Sequence, residues 1–218
     1  MKKTKKNPIV SLISKNVINP LGKGEEEMTL FNMVLSILSG LWLMVPAYLP
    51  NSSAAYFGGG TPIDFGKKLP DGSRILGDGK TWRGAFAGVT AGFTIGLLQV
   101  LIFYPFDYYP LGNYGETPQW ILILFLLSFG AILGDLLGSF IKRRFKVERG
   151  AKFPGLDQYD FLIGSWLLLI IFAQDWFYKH YIEGSNIFAL LAVLIVTPFL
   201  HRAVNIIGYK IGKKEVPW

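Results

Sequence analysis

The chain has 218 residues, of which 51% are hydrophobic, 15% are aromatic and only 17% are charged, and its net charge is +7. A soluble domain normally carries about a quarter charged residues, so this composition and a mean hydropathy of +0.36 indicate that lipid surrounds much of the chain. The absence of cysteine excludes a disulfide framework, a thiolate nucleophile and a cysteine-based zinc site. The positive charge suits anionic lipids or an anionic substrate, and without a nucleic-acid-binding motif we expect no nucleic-acid partner.

The first 29 residues do not have the pattern of a signal peptide. A basic start from Lys2 is followed by a short apolar stretch, which Lys15 and Asn16 interrupt, and then by three consecutive glutamates. We therefore predict a loosely ordered tail or an interfacial helix over residues 1–29. A transmembrane domain is predicted over residues 30–208, and a C-terminal tail over residues 209–218.

Five apolar stretches approach or reach the roughly 20 residues that a membrane-spanning helix needs. In chain order they run from Leu30 to Leu49, from Gly84 to Phe106, from Trp120 to Ile141, from Phe161 to Tyr178 and from Ile187 to Ile207. Asp135 alone interrupts the third stretch, whereas the fourth is shorter and contains Gln174 and Asp175 near its end. We predict an all-α integral membrane protein with five transmembrane helices and with its termini on opposite faces.

The distribution of lysine and arginine orients these five spans. The first loop carries five such residues, the third loop six and the C-terminal end four, whereas the second and fourth loops together carry only Lys179. Positive residues favour the cytoplasmic side, so we predict cytoplasmic first and third loops in a multi-pass cell-membrane protein. The basic N-terminal tail runs against this placement. The second loop, with Tyr108, Tyr109 and Tyr114, has the composition of an outer interfacial belt.

Glycines at intervals of four mark one face of span two and one face of span three. They are Gly84, Gly88, Gly92 and Gly96 in span two, and Gly130, Gly134 and Gly138 in span three. Small residues let helices approach closely in lipid. If the two faces meet, Lys80 and Arg83 at the start of span two lie near the cytoplasmic end of span three. That end carries a polar stripe of Asp135, Ser139, Lys142 and Lys146, and a carboxylate inside a span usually has a partner and a role.

The first loop contains a sequence that resembles a phosphate-binding loop. Gly79-Lys80-Thr81 would fit the P-loop pattern only with a glycine at position 74, where this chain has Arg74. The remaining interpretation is a flexible turn at the start of a helix, with Lys80, Thr81 and Arg83 forming an anion site.

The third loop ends with two carboxylates, Asp157 and Asp160, immediately before span four. Together with Asp135 they supply hard oxygen ligands close to many cations. Magnesium prefers one or two carboxylates together with substrate phosphates and water. We therefore predict a Mg²⁺ site, with Asp135 and Asp160 as ligands and Asp157 as an alternative or additional ligand.

Two separated motifs resemble the integral-membrane CTP-dependent cytidylyltransferases that make CDP-activated lipids. The first motif is matched by Lys80, Thr81, Trp82 and Gly84, and the second by Gly134, Asp135, Ser139, Lys142, Arg143, Pro154, Gly155, Asp157 and Asp160. The bacterial and eukaryotic branch has glutamate where this chain has Arg83 and arginine where it has Gln158. These departures make the chain look like the archaeal branch, the CDP-archaeol synthases, over roughly residues 46–164.

This resemblance implies CTP, Mg²⁺ and a geranylgeranyl ether-linked glycerol phosphate, with the active site formed by the first and third loops. The ionised lipid phosphate would attack the α-phosphorus of CTP without a general base, and neither His180 nor His201 is well placed to serve as one. We assign catalytic roles to Asp135, Asp160, Lys80 and Lys142. Substrate binding is assigned to Asp64, Asp78, Thr81, Arg83, Ser139, Arg143, Lys146, Lys152 and Asp157.

Two other functions stay open from the sequence. A CTP-using polyprenol or phytol kinase would transfer the γ-phosphoryl group to an alcohol, and its products would be a phospholipid and CDP. An anion transporter would use the basic loops as a vestibule, but the chain shows no internal repeat of the kind that alternating access commonly uses. The sequence also leaves open whether copies of the chain form a homo-oligomer.

Overall fold

The computed structural model of the chain describes residues 25–103, 111–148 and 151–212. The predictions for tail residues 1–24, for Tyr108 and Tyr109, and for the last six residues of the C-terminal tail lie outside the described residues. Those described form helices α1 (Glu25–Leu43), α2 (Val45–Tyr48), α3 (Pro50–Phe57), α4 (Trp82–Phe103), α5 (Gln119–Arg144), α6 (Leu156–Phe172), α7 (Gln174–Tyr181) and α8 (Ile187–Lys210). They include two isolated β-bridges and no strand, so the all-α prediction is confirmed.

Three of the described helices, α4, α5 and α8, are long and apolar enough to cross a membrane. The segment from α1 through α3 would be a fourth span, but it is bent by 43°. The prediction of one unbroken helix from Leu30 to Leu49 is therefore wrong. Proline lacks the N–H that continues a helix and favours its first turn, so Pro46 and Pro50 each lie at the start of a new short helix.

The fourth predicted span, Phe161 to Tyr178, is also not one continuous helix. α6 ends at Phe172 after 17 residues, and the backbone of Ala173 has φ −147°, outside the helical region. The next helix, α7, begins at Gln174 with Asp175 in its first turn. Because α7 buries Trp176 and Tyr181 against the core, it forms a separate packing element rather than the end of the span.

Hydrogen bonds between distant segments define the two ends of the bundle. At one end, Ser39 donates to the carbonyl of Leu111 at 2.9 Å, and the indole of Trp176 donates to the carbonyl of Asn113 at 3.1 Å. At the other end, Arg144 at the end of α5 donates to Asp71 at 2.7 Å. The first and third loops therefore share one end of the bundle, as their charge predicted.

The predicted glycine faces do not pack against each other. On α4, an added Cβ at Gly88 would lie 2.6 Å from Ile132, and one at Gly92 would lie 2.8 Å from Ser128, so the α4 glycines do contact α5. On α5, however, Gly130, Gly134 and Gly138 face α6. The face of α5 that meets α4 carries larger residues, and the glycine face of α5 brings α6 close instead.

The core surrounds α5. In the stretch of α5 that is long enough to cross a membrane, 56% of the residues are buried, compared with 22% in the corresponding stretches of α4 and α8. Leu43, Ile123, Leu127 and Leu169 have no exposed surface. The outer faces of α4 and α8 carry largely exposed apolar residues such as Phe86 and Phe199, at 77% and 71% exposure. This pattern is expected of a bundle whose outer surface contacts lipid.

Candidate active site

Asp64 holds the first loop in shape. Its carboxylate accepts hydrogen bonds from the backbone N–H groups of Gly66, Leu76 and Gly77 and from the guanidinium of Arg74, the shortest of them 2.7 Å long. Arg74 holds the pKa of the Asp64 carboxyl well below its usual range despite burial, and the backbone N–H groups act in the same direction. Because its side chain has no exposed surface, Asp64 supports the loop and does not face a cavity.

Two arginines extend the hydrogen-bond network of Asp64 to the rest of the first loop and to α5. Arg74 also pairs with Asp78 at 2.6 Å, so one guanidinium joins two of the three carboxylates of the loop. Arg144 donates to the carbonyl of Arg74 at 2.6 Å and to Asp71 at 2.7 Å, which joins the loop to the end of α5. The first loop therefore has a fixed position relative to the polar stripe on α5.

Thr81 and Arg83 have structural contacts at the start of α4. The Thr81 hydroxyl accepts the N–H of Gly84 at 3.1 Å, the geometry of a helix N-cap. The guanidinium of Arg83 donates to the carbonyls of Phe57 and Gly58 at the end of α3. Arg83 lines none of the three cavities described below, whereas Thr81 is buried at the wall of the central one.

The central cavity, of about 230 Å³, lies between the first loop, α5, the start of α6 and α8. Its charged lining residues are Lys80, Asp135, Lys142, Asp157 and Asp160. Lys80 Nζ lies 2.5 Å from Asp135 Oδ2, and Lys142 Nζ lies 2.7 Å from Asp157 Oδ1. Lys80 therefore lies beside the polar stripe of span three, where the sequence placed it on the condition that the two glycine faces meet. Two cations and three carboxylates thus line one small cavity.

Asp160 can lie against α5 because the residues of α5 that face it are glycines. An added Cβ at Gly138 would lie 2.6 Å from Asp160 Oδ2, and one at Gly134 would overlap the Asp160 carbonyl. Asp160 is 6% exposed, and Oδ1 accepts the N–H of Phe161 at 2.6 Å. Its charge interacts with those of Asp135, Lys80 and Lys142. The glycine face of α5 therefore positions the buried carboxylate of Asp160 at the same cavity as the partly exposed carboxylate of Asp135.

A second cavity, the loop cavity, has a volume of about 500 Å³ and lies between residues 73–80 of the first loop and residues 139–148. Its lining includes the five cations Arg74, Lys80, Lys142, Arg143 and Lys146, against the two anions Asp78 and Glu148. Buried Ser139 also lines it. In the part of the chain that the structure describes, the buried Nε of Arg143 has no hydrogen-bond partner, which leaves a donor for a bound anion. Lys80 and Lys142 line both this cavity and the central one.

A third cavity, the α8 cavity, has a volume of about 480 Å³ and lies between the third loop, the start of α6 and α8. Lys152, Asp157, His201 and Arg202 give it a polar side, and Pro198, Phe199 and Ile206 give it an apolar side. Asp157, His201 and Asn205 also line the central cavity, so the two cavities share a wall. Of the predicted binding residues, Lys152 is the one that lines this cavity and neither of the other two.

The carboxylates present fit a cation that takes part of its coordination from substrate. Within the described residues, no three histidine or acidic side chains converge as a preformed metal site. Both Asp157 oxygens have partners, since Oδ1 pairs with Lys142 and Oδ2 accepts the N–H of Phe153 at 2.8 Å. Among the described residues, one oxygen of Asp135 and one of Asp160 have no protein partner, and hard oxygen donors of this kind suit Mg²⁺.

Three residues at the central cavity were not predicted. His201, which was expected inside or near span five and not as a general base, lines the cavity together with Asn205 and Asn51. His201 and Asn205 are four residues apart, so they lie on one face of α8, and this spacing was the available signal. Asn51 follows Pro50 at the start of α3, and its buried Oδ1 has no hydrogen-bond partner.

Comparison with known proteins gives one consistent family. Residues 31–218 match the family described as CarS-like, CDP-archaeol synthase. Among curated relatives, the CDP-archaeol synthase of Methanoregula boonei is 50% identical over 177 residues, which are 80% of this chain and 100% of that protein. The CDP-archaeol synthase of Pyrococcus horikoshii is 46% identical over 182 residues, 84% of this chain and 97% of that protein.

A solved structure is also similar. It was reported as "Structural insight into an intramembrane enzyme for archaeal membrane lipids biosynthesis", and it is 36% identical to this chain with a TM-score of 0.59. The match covers 78% of this chain and 94% of that one. Both the fold and the placement of the chain in a membrane are therefore shared with an enzyme.

Proposed function

The chain belongs to the CarS-like family of CDP-archaeol synthases, and on this premise we propose that it transfers CMP from CTP to an isoprenoid ether lipid phosphate. The lipid substrate is 2,3-bis-O-geranylgeranyl-sn-glycerol 1-phosphate, and the products are CDP-archaeol and pyrophosphate, made for phospholipid biosynthesis. One observation above all supports this chemistry. Lys80 and Lys142 line both a strongly basic cavity and a cavity that contains three carboxylates.

The reaction is one phosphoryl-transfer step. An oxygen of the lipid phosphate forms a bond to the α-phosphorus of CTP, and the bond from that phosphorus to the oxygen bridging to the β-phosphorus breaks. Pyrophosphate leaves with the electron pair of the broken bond. A phosphomonoester has a second pKa of about 6, so the attacking oxygen is ionised at neutral pH and no general base is needed.

The residues of this chain lower the barrier through charge and position. In the loop cavity, Arg143 and Lys146 hold the β- and γ-phosphates, and Ser139 and Asp78 contact the nucleotide. Lys80 and Lys142 face the α-phosphorus, where negative charge from both substrates meets. Preorganised cations of this kind need no reorganisation when the transition state forms. Asp64 and Thr81 act indirectly, since they fix the loop and the start of α4.

Mg²⁺ would be held by Asp135 and Asp160, the two carboxylates of the central cavity that each keep one oxygen without a partner among the described residues. When bound, the cation neutralises charge on the phosphates and favours departure of pyrophosphate. In this structure the ammonium of Lys80 pairs with Asp135. When CTP binds, its triphosphate would compete with Asp135 for that ammonium. Asp157 holds Lys142 in place.

We also propose that the chain crosses the cell membrane five times, with the first and third loops in the cytoplasm. α6 is the span that length alone does not support. Its 17 residues extend about 25 Å at 1.5 Å per residue, which is the lower limit for crossing the hydrocarbon core. A cytoplasmic position for the basic loops would place all three cavities where CTP is present.

The function can be tested with purified protein in detergent micelles. The protein is incubated with CTP labelled at the α-phosphorus, Mg²⁺ and the geranylgeranyl ether lipid phosphate, and the lipids are then extracted. We expect label in a CDP-lipid and release of pyrophosphate. In a parallel incubation with a polyprenol or phytol and CTP labelled at the γ-phosphorus, entry of label into the lipid with release of CDP would show a kinase instead. No labelled lipid from either form of CTP would contradict the proposed function.

A further inference from the structure

The α8 cavity contains His201, Arg202 and Asn205, to which the sequence assigned no role, beside the predicted binding residues Lys152 and Asp157. It shares Asp157, His201 and Asn205 with the central cavity, so a group bound there lies next to Lys142 and the carboxylates. The loop cavity meets the central cavity from another side, through Lys80 and Lys142. The reaction joins two substrates, and the structure has two cavities that meet at a common centre.

The lining of the α8 cavity has two chemical characters. Lys152, His201 and Arg202 can donate hydrogen bonds to phosphate oxygens, and the first and last of them carry positive charge. Pro198, Phe199 and Ile206 offer only hydrocarbon surface. A phosphate attached to hydrocarbon chains matches both characters, whereas a nucleotide would leave the apolar wall without a partner.

The surroundings of the α8 cavity also differ from those of the loop cavity. Around the α8 cavity, Phe199, Val204 and Ile207 are 71%, 40% and 59% exposed. These residues lie on the outer surface of α8, which is long enough to cross a membrane. The loop cavity is instead lined by the first loop and by the end of α5 with the residues that follow it. A substrate that stays in the bilayer would reach the α8 cavity directly, and a water-soluble substrate would reach the loop cavity.

His201 is held in position for this role. Asn205, one turn further along α8, is 2% exposed, and its Nδ2 lies 3.3 Å from Nδ1 of His201. A buried amide needs polar partners, and the imidazole is one of them. The contact keeps His201 and Asn205 together at the wall that the two cavities share.

We propose that the α8 cavity binds the lipid phosphate, with His201 and Arg202 donating to its oxygens and with the hydrocarbon chains leaving between α6 and α8. The proposal rests on the proposed function and adds the subsite and the access route for the lipid. His201 and Arg202 act in binding and alignment, and Asn205 is a positioning residue that acts through His201.

The test separates the two substrates by their KM values. Arg202→Ala and His201→Ala are each assayed with lipid phosphate varied at saturating CTP, and with CTP varied at saturating lipid. We expect the KM for lipid phosphate to rise about tenfold through loss of a charge-assisted hydrogen bond, and the KM for CTP to change less than about twofold. Lys210→Ala, an exposed basic residue on the same helix that lines none of the cavities, should match the wild type.

A rise in the KM for CTP alone, or unchanged values for both variants, would overturn the proposal. A second measurement does not depend on turnover. The ether lipid phosphate is titrated into wild type and Arg202→Ala in micelles without CTP, and binding is followed by thermophoresis. Weaker binding by the variant supports the subsite, and equal binding overturns it, even if no CDP-lipid is formed by the wild type.

Discussion

Lys80 and Asp135, 55 residues apart in the sequence, form an ion pair of 2.5 Å that joins the first loop to the middle of α5. Each side chain is partly exposed to the central cavity, at 25% and 19% respectively. The pair is therefore accessible to a ligand, unlike the Asp64 side chain, which is enclosed by its loop. An anion could compete for Lys80 and a cation for Asp135, which is the exchange that binding of a magnesium nucleotide would require.

Asp135→Asn should lower the rate of CDP-lipid formation by about 100-fold or more. The substitution removes a negative charge from the centre of the site, and loss of a single electrostatic contribution to a transition state typically costs about this much. Transfer of label from CTP to lipid measures the effect. Asp175→Asn, an exposed carboxylate in α7 outside the site, is the matched control and should retain wild-type activity. Normal activity in Asp135→Asn would contradict the assignment.

The three carboxylates should differ in their dependence on magnesium. Asp135→Asn and Asp160→Asn should each raise the Mg²⁺ concentration that gives half-maximal activity, whereas Asp157→Asn should not, because both Asp157 oxygens already have protein partners. The measurement is a Mg²⁺ titration at fixed CTP after chelation with EDTA. Equal shifts in all three variants would indicate that Asp157 is also a ligand.

Arg143→Ala should raise the KM for CTP by about tenfold and leave the KM for lipid phosphate near the wild-type value. Arg143 lines the loop cavity and has a buried Nε without a hydrogen-bond partner, so a phosphate oxygen is its expected partner. Steady-state kinetics with each substrate varied in turn give the two values. Lys67→Ala, an exposed cation of the first loop that lines none of the three cavities, is the control. An unchanged KM for CTP would remove Arg143 from the nucleotide site.

The sequence predicted the content of this site better than its packing. The prediction that Lys80 lies near the polar stripe of span three was correct. Its reason, that the glycine faces of spans two and three meet, was only partly correct, because the α5 glycines face α6. His201 and Asn205 were missed because two polar residues near the end of an apolar span also fit a helix end at the membrane surface. Only the approach of α8 to the third loop distinguishes these interpretations. The bend after Leu43 was missed because proline is tolerated in membrane helices when neighbours satisfy the backbone.

Asp64→Ala should loosen the first loop. The substitution leaves the N–H groups of Leu76 and Gly77 and the Arg74 guanidinium without their acceptor, which costs about 2 kcal/mol for buried donors. Trypsin should then cleave after Lys67 and Lys68 roughly tenfold or more faster than in the wild type, because about 1.4 kcal/mol corresponds to a factor of ten. Asp71→Ala, whose carboxylate is exposed, should accelerate cleavage much less. Equal cleavage rates for wild type and Asp64→Ala would show that the loop does not depend on this carboxylate.

The same carboxylate gives the loop a pH dependence of known sign. Because the pKa of Asp64 is lowered in the folded loop, its contribution to stability is complete above the ordinary aspartate pKa and is lost only as pH falls through the lowered value. Wild-type protein should therefore resist an acid-active protease such as pepsin at the first loop at about pH 4, where an ordinary aspartate is half protonated. Asp64→Asn, which never carries the charge, should be cleaved there readily at the same pH. Rapid cleavage of the wild type would show that the loop does not keep its ion pair in acid.

Gly134→Ala should separate α6 from α5. An added Cβ would overlap the Asp160 carbonyl and come within 3.0 Å of the Phe161 Cα, and backbone atoms cannot rotate away as a side chain can. Overpacking of this kind costs about 1–3 kcal/mol, so the variant should lose folded protein at a lower temperature in a size-exclusion thermal-stability assay. Leu137→Ala is the control on the same helix, because Leu137 is 47% exposed on the lipid-facing side and fills no such contact. Since the close approach also holds Asp160 in the central cavity, Gly134→Ala should lose activity even at temperatures where it stays folded. A folded and fully active Gly134→Ala would show that α6 and Asp160 do not need this contact.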